Sequence, residues 1–148
     1  MSKETARSQI SKPADEIWMR IGDFSDLWWH TGVETCTTSK DVRTVKMHGM
    51  DFKVVERLTH MDNQRRSYAY EIIDYLGDSV FQFPDGTRFD LLTTAGHHRA
   101  TISVTPNDDE TSLITYECDM DDGYDELILG TTSNYQSHLD ELKHILEK

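Results

Sequence analysis

The residues with chemistry to offer lie on apolar strand faces and in one aromatic connection. In Phe52-Lys53-Val54-Val55-Glu56-Arg57-Leu58, alternation gathers Phe52, Val54 and Leu58 on one face and puts Glu56 among them. An unpartnered carboxylate on such a face costs several kcal/mol. Glu56 therefore needs a cationic or hydrogen-bonding partner, a wet cavity or a bound proton. His98 shares the parity of Ala100, Ile102 and Val104, and His30 follows Trp28-Trp29 directly. These two histidines are the expected partners of Glu56. A carboxylate and an imidazole facing one cavity suit general acid/base catalysis, with Glu56 and His30 as the catalytic candidates. The competing readings are a bulge that turns Glu56 outward and a surface position for His98 beside His97.

These side chains need elements to hold them. Glu4 to Ile10 reads as a strand. Pro13 then opens a helix in which Ala14, Ile17, Trp18 and Ile21 form an apolar stripe, with Gly22 as its end. Phe24 to Trp29 reads as a second short helical turn. After Gly32 the period changes to two. Val33–Thr38 and Val42–Met47 form a hairpin, followed by strands at Phe52–Met61, Ser67–Asp74, Arg99–Thr105 and Leu113–Met120. Tyr135, Leu139, Leu142 and Leu146 mark a terminal helix that starts near Asp125 and is weakened or bent at Gly130-Thr131-Thr132. Residues 75–97 read as a flap carrying its own short hairpin or helical turn. Strand, helix, strands and a final helix make an α+β plan.

Composition narrows the function. A chain of 148 residues that is 36% apolar suits a single domain spanning 1–148. The net charge of −12 argues against nucleic acid, whose phosphates would be repelled. No apolar run approaches the roughly 18 residues of a membrane span. The start, Met1 to Arg7, lacks a signal peptide's apolar core, which points to the cytoplasm. Cys36 and Cys118 are read as reduced, structural thiols. The seven histidines show no zinc spacing, and the acidic run Asp119 to Glu126 misplaces the glycine that a calcium loop needs. Neither metal nor cofactor is expected. A cysteine nucleophile would require a histidine to meet Cys118.

The order and spacing of several motifs carry a family resemblance. They are Pro13-Ala14-Asp15-Glu16-Ile17-Trp18, Ile21-Gly22-Asp23-Phe24, Trp29-His30-Thr31-Gly32-Val33-Glu34, Val55-Glu56-Arg57-Leu58 and Arg66-Ser67-Tyr68-Ala69-Tyr70-Glu71-Ile72. The strand Ala100 to Pro106 and the segment Leu139 to Lys143 close the match. Together they resemble the SRPBCC superfamily (START and Bet v 1-like proteins), in its polyketide cyclase/dehydrase branch. Thr31 stands where that branch usually has proline, and the connection at 75–97 is longer and richer in phenylalanine. The resemblance implies a helix-grip fold: a curved seven-stranded antiparallel sheet around a long C-terminal helix, with two short N-terminal helices. It also implies a cavity for lipids, polyketides or other apolar molecules. By position its lining falls on His30, Val54, Glu56, Tyr70, Ile72, Ala100 and Tyr116.

Trp29 and His98 join that lining from the residue reading, with Phe81 and Phe83 from the flap and Asn134 and His138 from the final helix. Three functions follow as expectations. The first is a binder of a small hydrophobic ligand. The second is a cyclase or dehydratase using Glu56 or His30. The third is a cochaperone-like interaction module with an acidic surface. Oligomeric state is left open between monomer and homodimer.

Overall fold

The period-two stretches become strands and the two amphipathic stripes become helices. The computed structural model describes the backbone of residues 2–82, 84–121 and 125–148, and the side chains of 3–80, 82, 84–121 and 135–148. The elements run β1 (Ser2–Ile10), α1 (Ala14–Ile21), β2 (Val33–Ser39), β3 (Val42–Met47), β4 (Phe52–Asp62), β5 (Ser67–Gly77), β6 (Val80–Gln82), β7 (Arg88–Asp90), a 3-10 turn (Leu91–Thr94), β8 (His98–Pro106), β9 (Ser112–Met120) and α2 (Asp125–Leu146). Seven strands make one antiparallel sheet in the order β1-β9-β8-β5-β4-β3-β2, and β6 pairs with β7. Among the described residues no helix is long and apolar enough to cross a membrane.

Each apolar stripe buries the face its period predicts. Ala14, Ile17, Trp18 and Ile21 are the buried residues of α1. Pro13 stands one position before that helix, at its cap, and Gly22 N–H closes the far end on Trp18 O at 2.8 Å. Helix α2 packs on β1 and β9 and turns Tyr135, Leu139, Leu142 and Leu146 into the core. It also covers the outer edge of β1. The Gln136 side chain accepts from Arg7 N–H at 3.0 Å and donates to Arg7 O at 2.7 Å, and Lys143 donates to Gln9 O. An exposed edge strand would otherwise offer these groups to another chain.

The expected second N-terminal helix does not form; residues 24–32 are a run of turns. Asp side chains compete with the helix here. Asp23 Oδ1 accepts from Ser25 N–H at 2.9 Å, and Asp26 Oδ1 accepts from Trp28 N–H at 3.1 Å. Such local bonds favour turns over helix. The turns still bury Phe24, Leu27 and Trp29 against the sheet.

The expected flap is shorter than 75–97, because β5 continues to Gly77. A bulge makes the extension work. Glu56 pairs with Ile72 but Val55 pairs with Asp74, so Ile73 is an extra residue. Inward parity passes from Tyr68, Tyr70 and Ile72 to Tyr75, which is buried. The remainder of the flap carries both a hairpin and a helical turn, β6–β7 followed by Leu91–Thr94. Asp90 Oδ1 caps the turn by accepting from Leu92 N–H at 3.0 Å.

Candidate functional site

Glu56 is buried on the inner face of β4, and its partner is neither His30 nor His98. Its neighbour across the ladder is Arg43 of β3. Arg43 Nε donates to Glu56 Oε1 at 2.6 Å, and a second guanidinium nitrogen donates to Phe24 O at 2.8 Å. Arg43 is 1% exposed. Its guanidinium carbon lies 4.2 Å from the centroid of Phe24 and 4.6 Å from that of Tyr70. Aromatic faces are favourable neighbours for a desolvated guanidinium. Burial pulls the Arg43 pKa down, but Glu56, Tyr68, Tyr70 and Tyr116 together outweigh it and hold the group well above its ordinary value.

A connected series of contacts leads from this pair to α2. The Tyr70 and Tyr116 hydroxyls hydrogen-bond to each other. Tyr116 stacks on Tyr135 of α2, with centroids 4.1 Å apart and planes at 25°. Burial pushes the hydroxyls of all three tyrosines well above the ordinary phenol range, and their proximity to one another adds to the shift. Trp29 lies 6.4 Å from Tyr116 and 5.7 Å from His30, and His30 lies 4.1 Å from His138 on α2. Thr31 Oγ1 ties this loop to the helix, 3.2 Å from His138 Nδ1 and bonded to Glu141.

Two polar atoms in this series are buried without a hydrogen-bond partner: Trp29 Nε1 and His30 Nδ1. Leaving such a group unpaired costs about 1–3 kcal/mol. Burial, with the charges of His138 and Arg43 adding to it, lowers the His30 pKa to about 3. The ring is therefore neutral at ordinary pH.

His98 contacts Cys118, with Nε2 and Sγ 2.9 Å apart. The histidine that a cysteine nucleophile would need is thus present. The pair is nevertheless unsuited to nucleophilic chemistry. Burial, aided by Asp119 and Glu4, pushes the Cys118 thiol up to about 12. Burial and Arg99 lower His98 to about 4. A neutral thiol facing a neutral imidazole is a hydrogen bond rather than a thiolate–imidazolium couple.

The remaining expected lining residues separate by position. Tyr70, Ile72, Ala100 and Tyr116 are buried on the sheet's inner face, while Val54 is half-buried against the same core. Trp28 projects outward, 43% exposed, with Arg20 over its ring at 5.0 Å. The side chains of Phe81, Phe83 and Asn134 fall outside the described residues. Arg43, Tyr75 and Tyr135 were absent from the expected lining. Arg43 lies in a stretch, Val42 to Met47, with apolar residues on both parities, whereas Tyr135 opens the apolar stripe of α2 and so had a signal in the sequence. Tyr75 had none, because the bulge that turns it inward is not visible there.

Comparison with known proteins adds a family and a fold. The family described as polyketide cyclase / dehydrase and lipid transport matches residues 1–147. No curated protein matches. Among solved structures, one protein from Bacillus thuringiensis has a TM-score of 0.76 at 19% identity, covering 99% of this chain and 100% of that one. The protein XoxI from Bacillus cereus has a TM-score of 0.76 at 20% identity, covering 99% and 96%. A START superfamily protein from Mycobacterium smegmatis has a TM-score of 0.66 at 11% identity, covering 98% and 97%. At these identities the likeness is one of fold.

Proposed function

Because the chain belongs to the polyketide cyclase / dehydrase and lipid transport family, of the START-like SRPBCC superfamily, we propose that it binds a small apolar or aromatic molecule, lipid or polyketide-like, between the sheet and α2. The observation that carries this reading is the buried, unpartnered pair Trp29 Nε1 and His30 Nδ1. A protein interior seldom leaves such atoms unpaired unless something else is to meet them. Tyr70, Tyr116 and Tyr135 supply aromatic surface beside them. The two free cysteines, Cys36 and Cys118, fit a reducing compartment and support action in the cytoplasm.

Binding is favoured over acid/base catalysis on this site. The Glu56 carboxylate is engaged by Arg43 at 2.6 Å, so a substrate proton would compete with a buried ion pair. A general base works best when its pKa lies near the working pH, and His30 sits near 3. The test is native mass spectrometry of the protein purified from its own host. We expect a reproducible non-covalent adduct that solvent extraction removes. A bare chain mass in every preparation, with no apolar probe taken up after extraction, would refute the reading.

A further inference from the structure

The buried charges of this interior cancel. Among the described residues, the buried polar and charged groups are Ser8, His30, Arg43, Glu56, Ser79, Thr94, His98 and Ser112. Arg43 and Glu56 neutralise each other at 2.6 Å. His30 and His98 are neutral rings, with values near 3 and 4. The tyrosines stay protonated. A carboxylate entering this region finds its one buried cation already neutralised, and an ammonium finds the carboxylate already taken. Either would be desolvated without compensation, which costs several kcal/mol.

The open hydrogen-bonding capacity beside Tyr116 lies at Trp29 Nε1 and His30 Nδ1. Trp18 Nε1 donates to Asn63 Oδ1 at 3.0 Å and Trp28 Nε1 donates to Arg20 O at 2.5 Å, whereas Trp29 Nε1 has no partner. An indole N–H is a donor only, so it asks for an oxygen or another acceptor. The adjacent His30 Nδ1 is donor or acceptor according to its tautomer. A hydroxyl can accept from Trp29 and donate to His30, while a carbonyl can accept from Trp29 and from a protonated Nδ1.

We propose that the molecule bound here is uncharged and presents a hydroxyl or carbonyl oxygen to the Trp29 indole N–H, so that phenols, alcohols and ketones are selected over carboxylates and ammonium ions. This inference rests on the binding reading above, and it sets fatty acids apart from neutral oxygenated aromatics or sterol-like alcohols.

The test is calorimetric titration of the full chain, near neutral pH, with four probes of one shape: naphthol, naphthoate, naphthylmethylammonium and naphthalene. Naphthol is expected to bind about tenfold tighter than naphthalene, the value of one good buried hydrogen bond. The two ions are expected to bind no tighter than naphthalene. Trp29→Phe should remove the advantage of naphthol over naphthalene. Naphthoate or the ammonium binding as tightly as naphthol would overturn the proposal, and so would equal affinities for naphthol and naphthalene. In those cases the binding reading stands. No uptake of any probe would overturn both together. If Trp29→Phe fails to fold, the wild-type series still decides.

Discussion

Arg43 sets the electrostatics of the interior. Its guanidinium is buried among Glu56, Phe24 O and three aromatic rings, so neither member of the ion pair can lose the other cheaply. Arg43→Met should destabilise the protein by about 3–5 kcal/mol, because Glu56 is left as an unpaired buried charge. Arg43→Met combined with Glu56→Leu should recover most of that loss. Urea unfolding of the wild type and these two variants measures both effects, and a loss below about 1 kcal/mol for Arg43→Met alone would contradict this account of the pair. The sequence announced Glu56 but not its partner. In Val42-Arg43-Thr44-Val45-Lys46-Met47 both parities carry apolar residues, so only the pairing of Arg43 with Glu56 across β3 and β4 decides which face is inward. The buried histidines add a pH dependence. The folded values of His30 and His98 lie below that of a free imidazole, so the unfolded chain takes up their protons first as the pH falls. Stability should be full above about pH 7 and fall on acidification through the ordinary imidazole range towards pH 4, by up to about 1.4 kcal/mol per pH unit for each ring. Urea midpoints from neutral pH down to about pH 5 follow this, in a window above most carboxylate titrations. His98→Gln should reduce the slope by about half, and a flat profile would show that the rings are not held neutral.

At the scale of elements, periodicity located the strands and helices, while competing local bonds and bulges decided where they end. The stripe Ala14, Ile17, Trp18 and Ile21 formed α1 because its apolar positions repeat at helical spacing. The stretch after Gly22 looked similar, but Asp23 and Asp26 bind the backbone two residues on and hold it in turns. Strand β5 outran its sequence signal because a bulge at Ile73 lets it stay paired with β4 as far as Phe52 and Gly77. Gly77 ends that strand at φ +105, where an added Cβ would sit 2.8 Å from the Asp51 carbonyl oxygen. Gly86, in the turn between β6 and β7, has φ +89 but open space around it. Gly77→Ala therefore meets backbone strain and a backbone clash, and Gly86→Ala meets strain alone. We expect Gly77→Ala to cost about 2–4 kcal/mol and Gly86→Ala about 1 kcal/mol. Thermal or urea unfolding of the two variants compares them directly, and equal losses would show that the approach to Asp51 is not a constraint.

Across the whole molecule, the sheet and α2 enclose an interior whose charges are balanced, while the chain as a whole carries a net charge of −12. The helix closes the sheet's β1 edge through Gln136 and Lys143 and contributes Tyr135 to the interior. Motif order and alternation were enough to indicate the antiparallel sheet, the helix packed on it and most of the sheet's inner face. They did not identify the paired state of Glu56 or the unpaired state of Trp29, because both depend on contacts between elements far apart in the chain. If Trp29 Nε1 meets a ligand oxygen as proposed, the three tryptophans supply their own controls. The most direct measurement follows the three indole N–H resonances by proton–nitrogen correlation NMR during a naphthol titration. The account predicts that the Trp29 signal moves downfield and its hydrogen exchange slows, while Trp18, bound to Asn63, and Trp28, bound to Arg20 O, stay in place. A Trp29 signal that stays still while naphthol binds elsewhere, or shifts confined to surface residues such as Trp28, would contradict it.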